Sequence, residues 1–232
     1  MMGAGSRFKI VLLAVAVLVA LNGSAQQHFD ANVSIGAKAG ATMSKVNFQS
    51  SVPQTFLPGA MAGLSFRYTE ERHFGIIVEL NYEQNGWKET FEGTDFAFQR
   101  RLNYLRMPML TQIYFGSSKF HAFFTAGPEI GYMIGSSTKS NFAYDNIAGI
   151  KDFPAENRNV EQFTLPIKYK FDYGISAGLG LELIANQKHS IVAEGRFYYG
   201  LHDVFGNHAK DAFSASSGMS VQVTLGYYYR LH

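Results

Sequence analysis

Apolar and polar residues alternate strictly along several long stretches of this chain. Between Phe171 and Leu183 every odd-numbered residue is Phe, Tyr, Ile, Ala or Leu, and every even-numbered residue is Asp, Gly, Ser or Glu. Successive side chains of a β-strand point to opposite faces, so the pattern predicts a strand with one apolar face. Globular strands usually have about 5 or 6 residues, whereas a tilted strand needs about 10 to cross a bilayer. The length of this stretch favours a membrane-crossing strand.

The same alternation predicts seven further strands. None of the residues on their apolar faces is Asp, Glu, Lys or Arg. A charge at a lipid-facing position costs about 2 to 4 kcal/mol at the bilayer midplane, which explains this exclusion. The further strands cover residues 33–44, 60–68, 74–85, 101–115, 120–134, 190–202 and 219–232.

The connections between the predicted strands alternate in length, as in outer-membrane barrels with short periplasmic turns and longer external loops. The short turns are residues 69–72, 116–119 and 185–189. The long loops are residues 45–58, 87–100, 136–169 and 203–217. We therefore predict an all-β fold, an eight-stranded antiparallel up-and-down transmembrane β-barrel that occupies residues 26–232.

Aromatic residues collect at both ends of the predicted strands, where aromatic belts meet membrane interfaces. The belt at the short-turn ends comprises Tyr68, Phe74, Phe115, Phe120, Tyr227 and Tyr229. The belt at the long-loop ends comprises Tyr82, Tyr132, Phe171, Tyr173, Phe197 and Tyr199.

A soluble eight-stranded barrel such as a lipocalin is the alternative fold, because it also alternates with period two. Its apolar set would face inward and would leave Glu79, Arg106 and Glu194 in water. The polar set of this chain is rich in glycine and small hydroxyl residues and fairly poor in lysine. That composition suits a crowded barrel interior better than a solvated surface.

The amino-terminal segment has the organisation of a signal peptide. Arg7 and Lys9 precede an apolar run from Ile10 to Leu21, and residues 23–25 form a small-residue cleavage site. A transmembrane anchor is the alternative, but the run is shorter than the ~20 residues that a spanning helix needs. We predict export to the bacterial outer membrane and cleavage of residues 1–25 after Ala25.

Composition excludes several classes of function. The net charge is +2 and the basic residues are dispersed, which argues against nucleic acid as a partner. The chain has no cysteine and therefore no disulfide, thiolate metal site or cysteine nucleophile. The seven histidines show no metal-ligand spacing beyond one chance pair, His202 and His208. We expect neither a metal site nor a cofactor.

Charged residues recur on the polar faces of the predicted strands. An eight-stranded barrel has a bore just wide enough for side chains to fill, and unpaired ions there are very costly. We predict a network of salt bridges that holds the bore shut, and a gated solute pathway is the alternative. The predicted network comprises Lys38, Arg67, Glu79, Glu83, Arg106, Glu129, Asp172, Glu182, Glu194, Arg196 and Arg230.

A lipid-modifying enzyme is a further alternative, because a serine and a histidine near the outer rim can serve such chemistry. His202 and Asp203 lie at the outer end of a predicted strand, and His208 and Ser214 lie in the loop beyond. Strand geometry does not bring these residues into hydrogen-bond reach. We therefore predict no catalytic residues and no enzymatic function.

Pro108 and Pro128 fall inside predicted strands, where a proline removes a donor from the hydrogen-bond ladder. We expect a bulge or a local gap in the ladder at each. A bulge would exchange the inward and outward sets beyond it.

Similar strand motifs recur at Tyr104 to Leu110, Ala126 to Tyr132, Asp172 to Glu182, Gly36 to Gly40, Tyr199 to Leu201 and Thr224 to Tyr227. These motifs resemble the PorT-type outer-membrane β-barrel family of Bacteroidetes. The resemblance implies an eight-stranded outer-membrane barrel with a proline in its fourth strand. The family's namesake acts in protein export by the type IX secretion and gliding machinery, and the family has no catalytic residues to carry over.

We interpret the protein as an integral outer-membrane barrel of PorT type with a structural role or a role in secretion or transport. Its expected partners are outer-membrane lipid and, through the four long loops, secretion-machinery or other envelope proteins. The alternatives are a narrow gated solute porin, a surface adhesion protein and a lipid-modifying enzyme.

Overall fold

The computed structural model describes residues 32–49, 52–71, 73–117, 119–154, 158–205, 213 and 215–231. The predicted signal peptide, residues 1–25, lies outside these residues. The described chain forms strands and two short 3₁₀ helices, at Ile147–Gly149 and Glu161–Phe163. The strands are β1 (Asn32–Phe48), β2 (Gln54–Thr55), β3 (Leu57–Glu71), β4 (Phe74–Glu89), β5 (Phe98–Gly116), β6 (Phe120–Ser140), β7 (Phe171–Asn186), β8 (His189–Asp203) and β9 (Ser216–Arg230).

The eight long strands close into an antiparallel barrel. Each pairs with its neighbours along the chain, and β1 pairs with β9 to close the ring. The two-residue strand β2 pairs with the end of β4. The ring order is β1, β3, β4, β5, β6, β7, β8, β9, so that β3 faces β7 and β4 faces β8 across the bore. The predicted eight-stranded antiparallel up-and-down barrel is confirmed.

The outer wall of the barrel is apolar between the two aromatic belts. Leu64, Leu179 and Leu225 are each about two-thirds exposed, at 65%, 68% and 66%. No Asp, Glu, Lys or Arg points outward from the described strand residues between the belts. We call this part of the wall the apolar band. The polar side chains of the same strands point into the bore, so the predicted inward and outward sets agree with the structure.

The two prolines leave the register of their strands unchanged. Pro108 lies beside an interruption of the β5–β6 ladder, which resumes at Thr111 with the same register. Pro128 lies opposite that interruption and is in register with β7. The expected local gap is therefore present without the shift that a bulge produces. A register shift lies instead at Asn103/Tyr104, above the apolar band.

The strands extend further at the long-loop end of the barrel than predicted. Apart from β2, the connections there are residues 49–56, 90–97, 141–170 and 204–215, so the predicted loops 45–58, 87–100, 136–169 and 203–217 had wrong boundaries. The boundaries were wrong because the outward residues become polar above the apolar band. The alternation of apolar and polar residues ends there, although strand pairing continues. Trp87, which falls inside a predicted loop, lies in β4 and is fully buried.

Among the described residues, no helix is long and apolar enough to cross a membrane.

Candidate functional site

The polar faces of the strands converge on the bore, which is the candidate functional site. Ten of the eleven charged residues predicted to line it are buried, namely Lys38, Arg67, Glu79, Glu83, Arg106, Glu129, Asp172, Glu182, Glu194 and Arg196. The eleventh, Arg230, is half-buried at the end of β9. It forms no ion pair within the part of the chain that the structure describes. Arg230 faces the short-turn opening of the barrel, where water can solvate its charge.

The first layer of the bore, nearest the short turns, joins β3 to β7 across the barrel. Arg67 donates from Nη1 and Nη2 to the two carboxylate oxygens of Glu182, at 3.0 and 2.8 Å. Ser190 donates to the same carboxylate at 2.5 Å. The guanidinium also lies 4.5 Å from the ring centroid of Tyr228. A bidentate pair of this kind fixes both strands in one geometry.

The second layer joins β1, β4 and β8. Glu79 forms an ion pair with Lys38, at 2.6 Å from Nζ, and accepts a hydrogen bond from Arg196 Nη1 at 2.7 Å. Arg196 also binds Glu194, with Nη2 at 2.8 Å from Oε2. Thr125 of β6 donates to Glu194 at 2.9 Å. The second layer therefore connects β1 and β4 to β6 and β8 across the bore.

The third layer is centred on Arg106 of β5. Its guanidinium lies 2.7 Å from Asp172, 3.3 Å from Glu129 and 3.4 Å from Glu83. Tyr198 donates to Asp172 at 2.9 Å, and its ring centroid lies 4.1 Å from the Arg106 guanidinium. One cation thus forms ion pairs with three carboxylates, from β4, β6 and β7.

The bore holds more buried acidic groups than basic groups. Six carboxylates, on Glu79, Glu83, Glu129, Asp172, Glu182 and Glu194, face the four cations Lys38, Arg67, Arg106 and Arg196. The ion pair of Glu83 is long, at 3.4 Å, and its other partners are the side-chain amides of Gln222 at 3.1 Å and Asn85 at 3.4 Å. Removal of any one of the four cations therefore leaves more uncompensated charge in the bore than removal of the Glu83 carboxylate does.

Glycines on the inward face of β7 make room for aromatic rings. A Cβ at Gly180 would lie 2.1 Å from the ring of Phe123, and one at Gly174 would lie 2.7 Å from the ring of Tyr198. A Cβ at Gly195, on the outward face of β8, would meet nothing within 4 Å. The crowding of the bore explains the small residues at the even-numbered positions between Phe171 and Leu183.

Aromatic side chains fill the barrel above the three charged layers, and sequence reasoning missed them. Trp87 lies edge-on to Phe48 with ring centroids 5.5 Å apart, and Phe98 lies 4.4 Å from Phe163 of the 141–170 segment. We call this cluster the aromatic cap. The aromatic cap consists of Val46, Phe48, Trp87, Phe91, Phe98, Leu102, Tyr104, Met133, Phe163, Val204, Phe205 and Phe213. The sequence held one indication of this cluster. The odd-numbered residues of β4 point into the barrel, and Trp87 is the next odd-numbered residue after Asn85.

Four polar residues fasten the 141–170 segment to the barrel, and we call them the latch. Gln162 is fully buried and donates to Glu89 at 2.8 Å. Arg158 lies 3.1 Å from the other oxygen of Glu89. Arg100 donates to the backbone oxygen of Leu165 at 2.7 Å. The latch therefore consists of Glu89, Arg100, Arg158 and Gln162.

Glu89 makes the latch sensitive to pH. It lies at the end of β4, beyond the outer aromatic belt. Burial raises the pKa of Glu89 from 4.5 to about 7, against the opposing effects of the Gln162 hydrogen bond and the Arg158 charge. The closed latch therefore binds more protons than the open form between those two values. The free energy that favours the closed latch is greatest below pH 4.5 and decreases as the pH rises toward 7.

The space between the third layer and the aromatic cap is small. A cavity lined by residues that include Tyr104, Arg106, Tyr198 and Val204 has a volume of about 20 Å³. A single water needs about 10 to 15 Å³, so one water fits there and a solute does not.

The structure describes two of the four residues considered for catalysis, His202 and Asp203. His202 packs edge-on against Tyr169 at 4.9 Å, and Asp203 accepts hydrogen bonds from Ser216. His208 and Ser214 lie outside the described residues. No group of three His, Asp or Glu among the described residues is placed to hold a metal ion.

Residues 174–178 match the Gly-x-Ser-x-Gly pattern of hydrolase nucleophiles, which sequence reasoning overlooked. That pattern is active only at a sharp strand-to-helix turn that exposes the serine. Ser176 instead lies within the extended strand β7, is fully buried and donates to Glu129 at 2.5 Å. It is a structural member of the third layer.

Residues 24–206 match the family model described as outer membrane protein beta-barrel domain. The chain belongs to this family. Membership in the outer membrane protein beta-barrel domain family assigns the protein to the bacterial outer membrane, with the apolar band against lipid. None of the curated proteins matches the chain.

Several solved outer-membrane barrels are similar in fold. OprG from Pseudomonas aeruginosa is 11% identical, with 87% of this chain and 96% of that chain covered and a TM-score of 0.49. Ail, the attachment invasion locus protein of Yersinia pestis, is 12% identical, with 86% and 99% covered and a TM-score of 0.42. The outer membrane enzyme PagL is 14% identical, with 83% and 97% covered and a TM-score of 0.39. At these values the likeness carries no argument about activity.

Proposed function

We propose that the protein is a sealed, non-enzymatic outer-membrane barrel of PorT type that acts through its external surface. The observation that carries this proposal is the double closure of the bore. Two of the three charged layers join opposite strands, and the third joins β5 to β4, β6 and β7. The aromatic cap and the latch close the outer end above them. A narrow porin needs a continuous aqueous path, and a cavity of about 20 Å³ between the two closures does not provide one.

The external segments offer a surface for an envelope protein, and a component of the secretion machinery is the partner that the PorT resemblance favours. Phe56 is 47% exposed between β2 and β3, which is a large exposed fraction for an apolar side chain outside the apolar band. Lys45 lies over its ring at 5.1 Å. Asp145 and Lys151 are exposed on the 141–170 segment. Aromatic residues are enriched at protein contact sites, and the rims of such sites are polar.

Affinity capture from native outer membranes tests the proposal. The loop variant Phe56→Ser/Lys151→Ser changes the external surface, and the turn variant Lys119→Ser/Lys188→Ser changes the opposite end of the barrel. We expect the unmodified protein and the turn variant to recover the same envelope proteins and the loop variant to recover less of them. Equal recovery by both variants, or recovery no greater than with an unrelated eight-stranded barrel, contradicts the proposal.

A further inference from the structure

The outer wall of the barrel carries a row of polar and basic side chains above the apolar band. Lys88 of β4 pairs in register with Gln99 of β5, which pairs in register with Lys139 of β6. Both lysines are exposed. They border a shallow open depression of about 300 Å³ that is also lined by Ala97, Ser140 and Asn141.

The spacing of this row suits one phosphate group. Neighbouring strands lie about 4.8 Å apart, so the backbones of Lys88 and Lys139 are about 10 Å apart on either side of Gln99. Two ammonium groups on flexible side chains can reach one anion from that distance, and the amide between them can donate a third hydrogen bond.

Further cations lie between this row and the apolar band. Arg101 is half-buried on the wall below Gln99, where its Nη1 donates to Gln84 at 2.7 Å. Lys168 and Lys170 are exposed just before β7, and Lys170 immediately precedes Phe171 of the outer aromatic belt. We call Lys88, Arg101, Lys139, Lys168 and Lys170 the cationic face. The nearest exposed carboxylates along the chain are Glu92 and Asp95, in residues 90–97, and Asp145, in the 141–170 segment.

The height of the cationic face above the apolar band favours a large headgroup over a small one. Lys88 is six residues beyond Tyr82, the last exposed aromatic residue of β4. At about 3.3 Å per residue and a tilt of about 40°, Lys88 lies about 15 Å above the band. A phospholipid headgroup layer is only about 5 to 8 Å thick. Cations spread over this height match a headgroup of several sugars that carries phosphates.

We propose that the cationic face binds the phosphorylated sugar headgroup of an outer-leaflet glycolipid. Such binding would hold a glycolipid against β4, β5 and β6 on one side of the barrel. It is independent of the protein contact proposed above, because it uses the wall of the barrel rather than the loop residues Phe56 and Lys151.

The test compares two double variants of the mature protein refolded in neutral detergent. Lys88→Gln/Lys139→Gln removes the row, and Lys119→Gln/Lys188→Gln removes the same charge at the short turns. The probe is rough lipopolysaccharide with phosphorylated core sugars, used intact and after chemical removal of its phosphates. Near an anionic surface each cation changes binding about fivefold, so we expect about 25-fold weaker binding of intact probe by the first variant. The second variant should bind within about twofold of the unmodified protein.

The dephosphorylated probe should bind the unmodified protein as weakly as the first variant binds the intact probe. Equal affinities of the two variants overturn the proposal, as does undiminished binding of the dephosphorylated probe. Full displacement by millimolar inorganic phosphate would identify a free-anion site and also overturn it. Heat-modifiable gel migration of both variants establishes that each is folded before binding is measured.

Discussion

Replacing Arg196 by methionine should destabilise the barrel strongly. Arg196 binds Glu79 at 2.7 and 3.1 Å and Glu194 at 2.8 Å from inside the second layer. Methionine fills much of the same space without charge, so the substitution removes the ion pairs and retains most of the packing. Glu79 keeps Lys38 at 2.6 Å, whereas Glu194 keeps the Thr125 hydroxyl at 2.9 Å and Lys38 at 3.7 Å.

The expected loss follows from the charge left behind. Breaking a buried ion pair by removing one partner costs about 3 to 5 kcal/mol, because the other charge is left uncompensated. Since the bore already holds two more carboxylates than cations, we expect Arg196→Met to lose about 4 kcal/mol of unfolding free energy. Arg196→Met/Glu194→Gln removes one charge of each sign and should recover about half of that loss.

Urea unfolding of the refolded barrel, followed by its heat-modifiable gel migration, measures these free energies. Lys119→Met, at an exposed short turn, is the control and should change stability by less than about 0.5 kcal/mol. A loss for Arg196→Met no larger than that of the control would refute the argument that the charged layers hold opposite strands together. A double variant no more stable than the single variant would refute the role of charge balance.

Three further substitutions test the packing of the bore, the apolar band and the latch. Gly180→Ala should cost about 1 to 3 kcal/mol in the same urea assay, because its Cβ would lie 2.1 Å from a phenylalanine ring, whereas Gly195→Ala, with open space around it, should be nearly neutral. Leu179→Arg should lose about 2 to 4 kcal/mol of stability in lipid vesicles, and Leu179→Met should lose little, since this position faces the membrane. Fluorescence of Trp87, the single tryptophan, should shift to the red as the pH rises from 5 to 8, because ionisation of Glu89 loosens the latch and exposes the cap to water. Glu89→Gln should remove that pH dependence. If the variant keeps the pH profile of the unmodified protein, Glu89 is not the group whose titration loosens the latch.

The inside and outside of the barrel were predictable from the alternation of residues. A strand in a bilayer must present apolar residues to lipid, so Leu179 and Leu181 were predicted to face outward. Glu182 lies between outward-facing neighbours and was therefore predicted to face inward. The partner of Glu182 was not predictable. Arg67 lies 115 residues away in the chain, and only the closure of the ring brings β3 and β7 to opposite sides of the same bore.

The aromatic cap escaped prediction because it reverses the rule that holds inside the membrane. Above the apolar band the outer wall meets polar surroundings and the interior becomes apolar, so Trp87 and Phe98 looked like loop residues. The latch was hidden for a different reason. Arg158 and Gln162 belong to a segment without periodicity, whose contacts with Glu89 depend on how that segment folds over the mouth. The inward direction of Arg230 was predictable from its even-numbered position in the last strand. Its solvation was not, because only the structure places it at the open end of the barrel, where water can replace an ion-pair partner.

We propose that the charged layers, the aromatic cap and the latch together seal the bore. Planar-bilayer recording of the refolded mature protein tests this claim most directly, with an open porin as the positive control. We expect insertion without discrete current steps at pH 5, where the latch is most stable. Regular single-channel steps from the folded protein would contradict it.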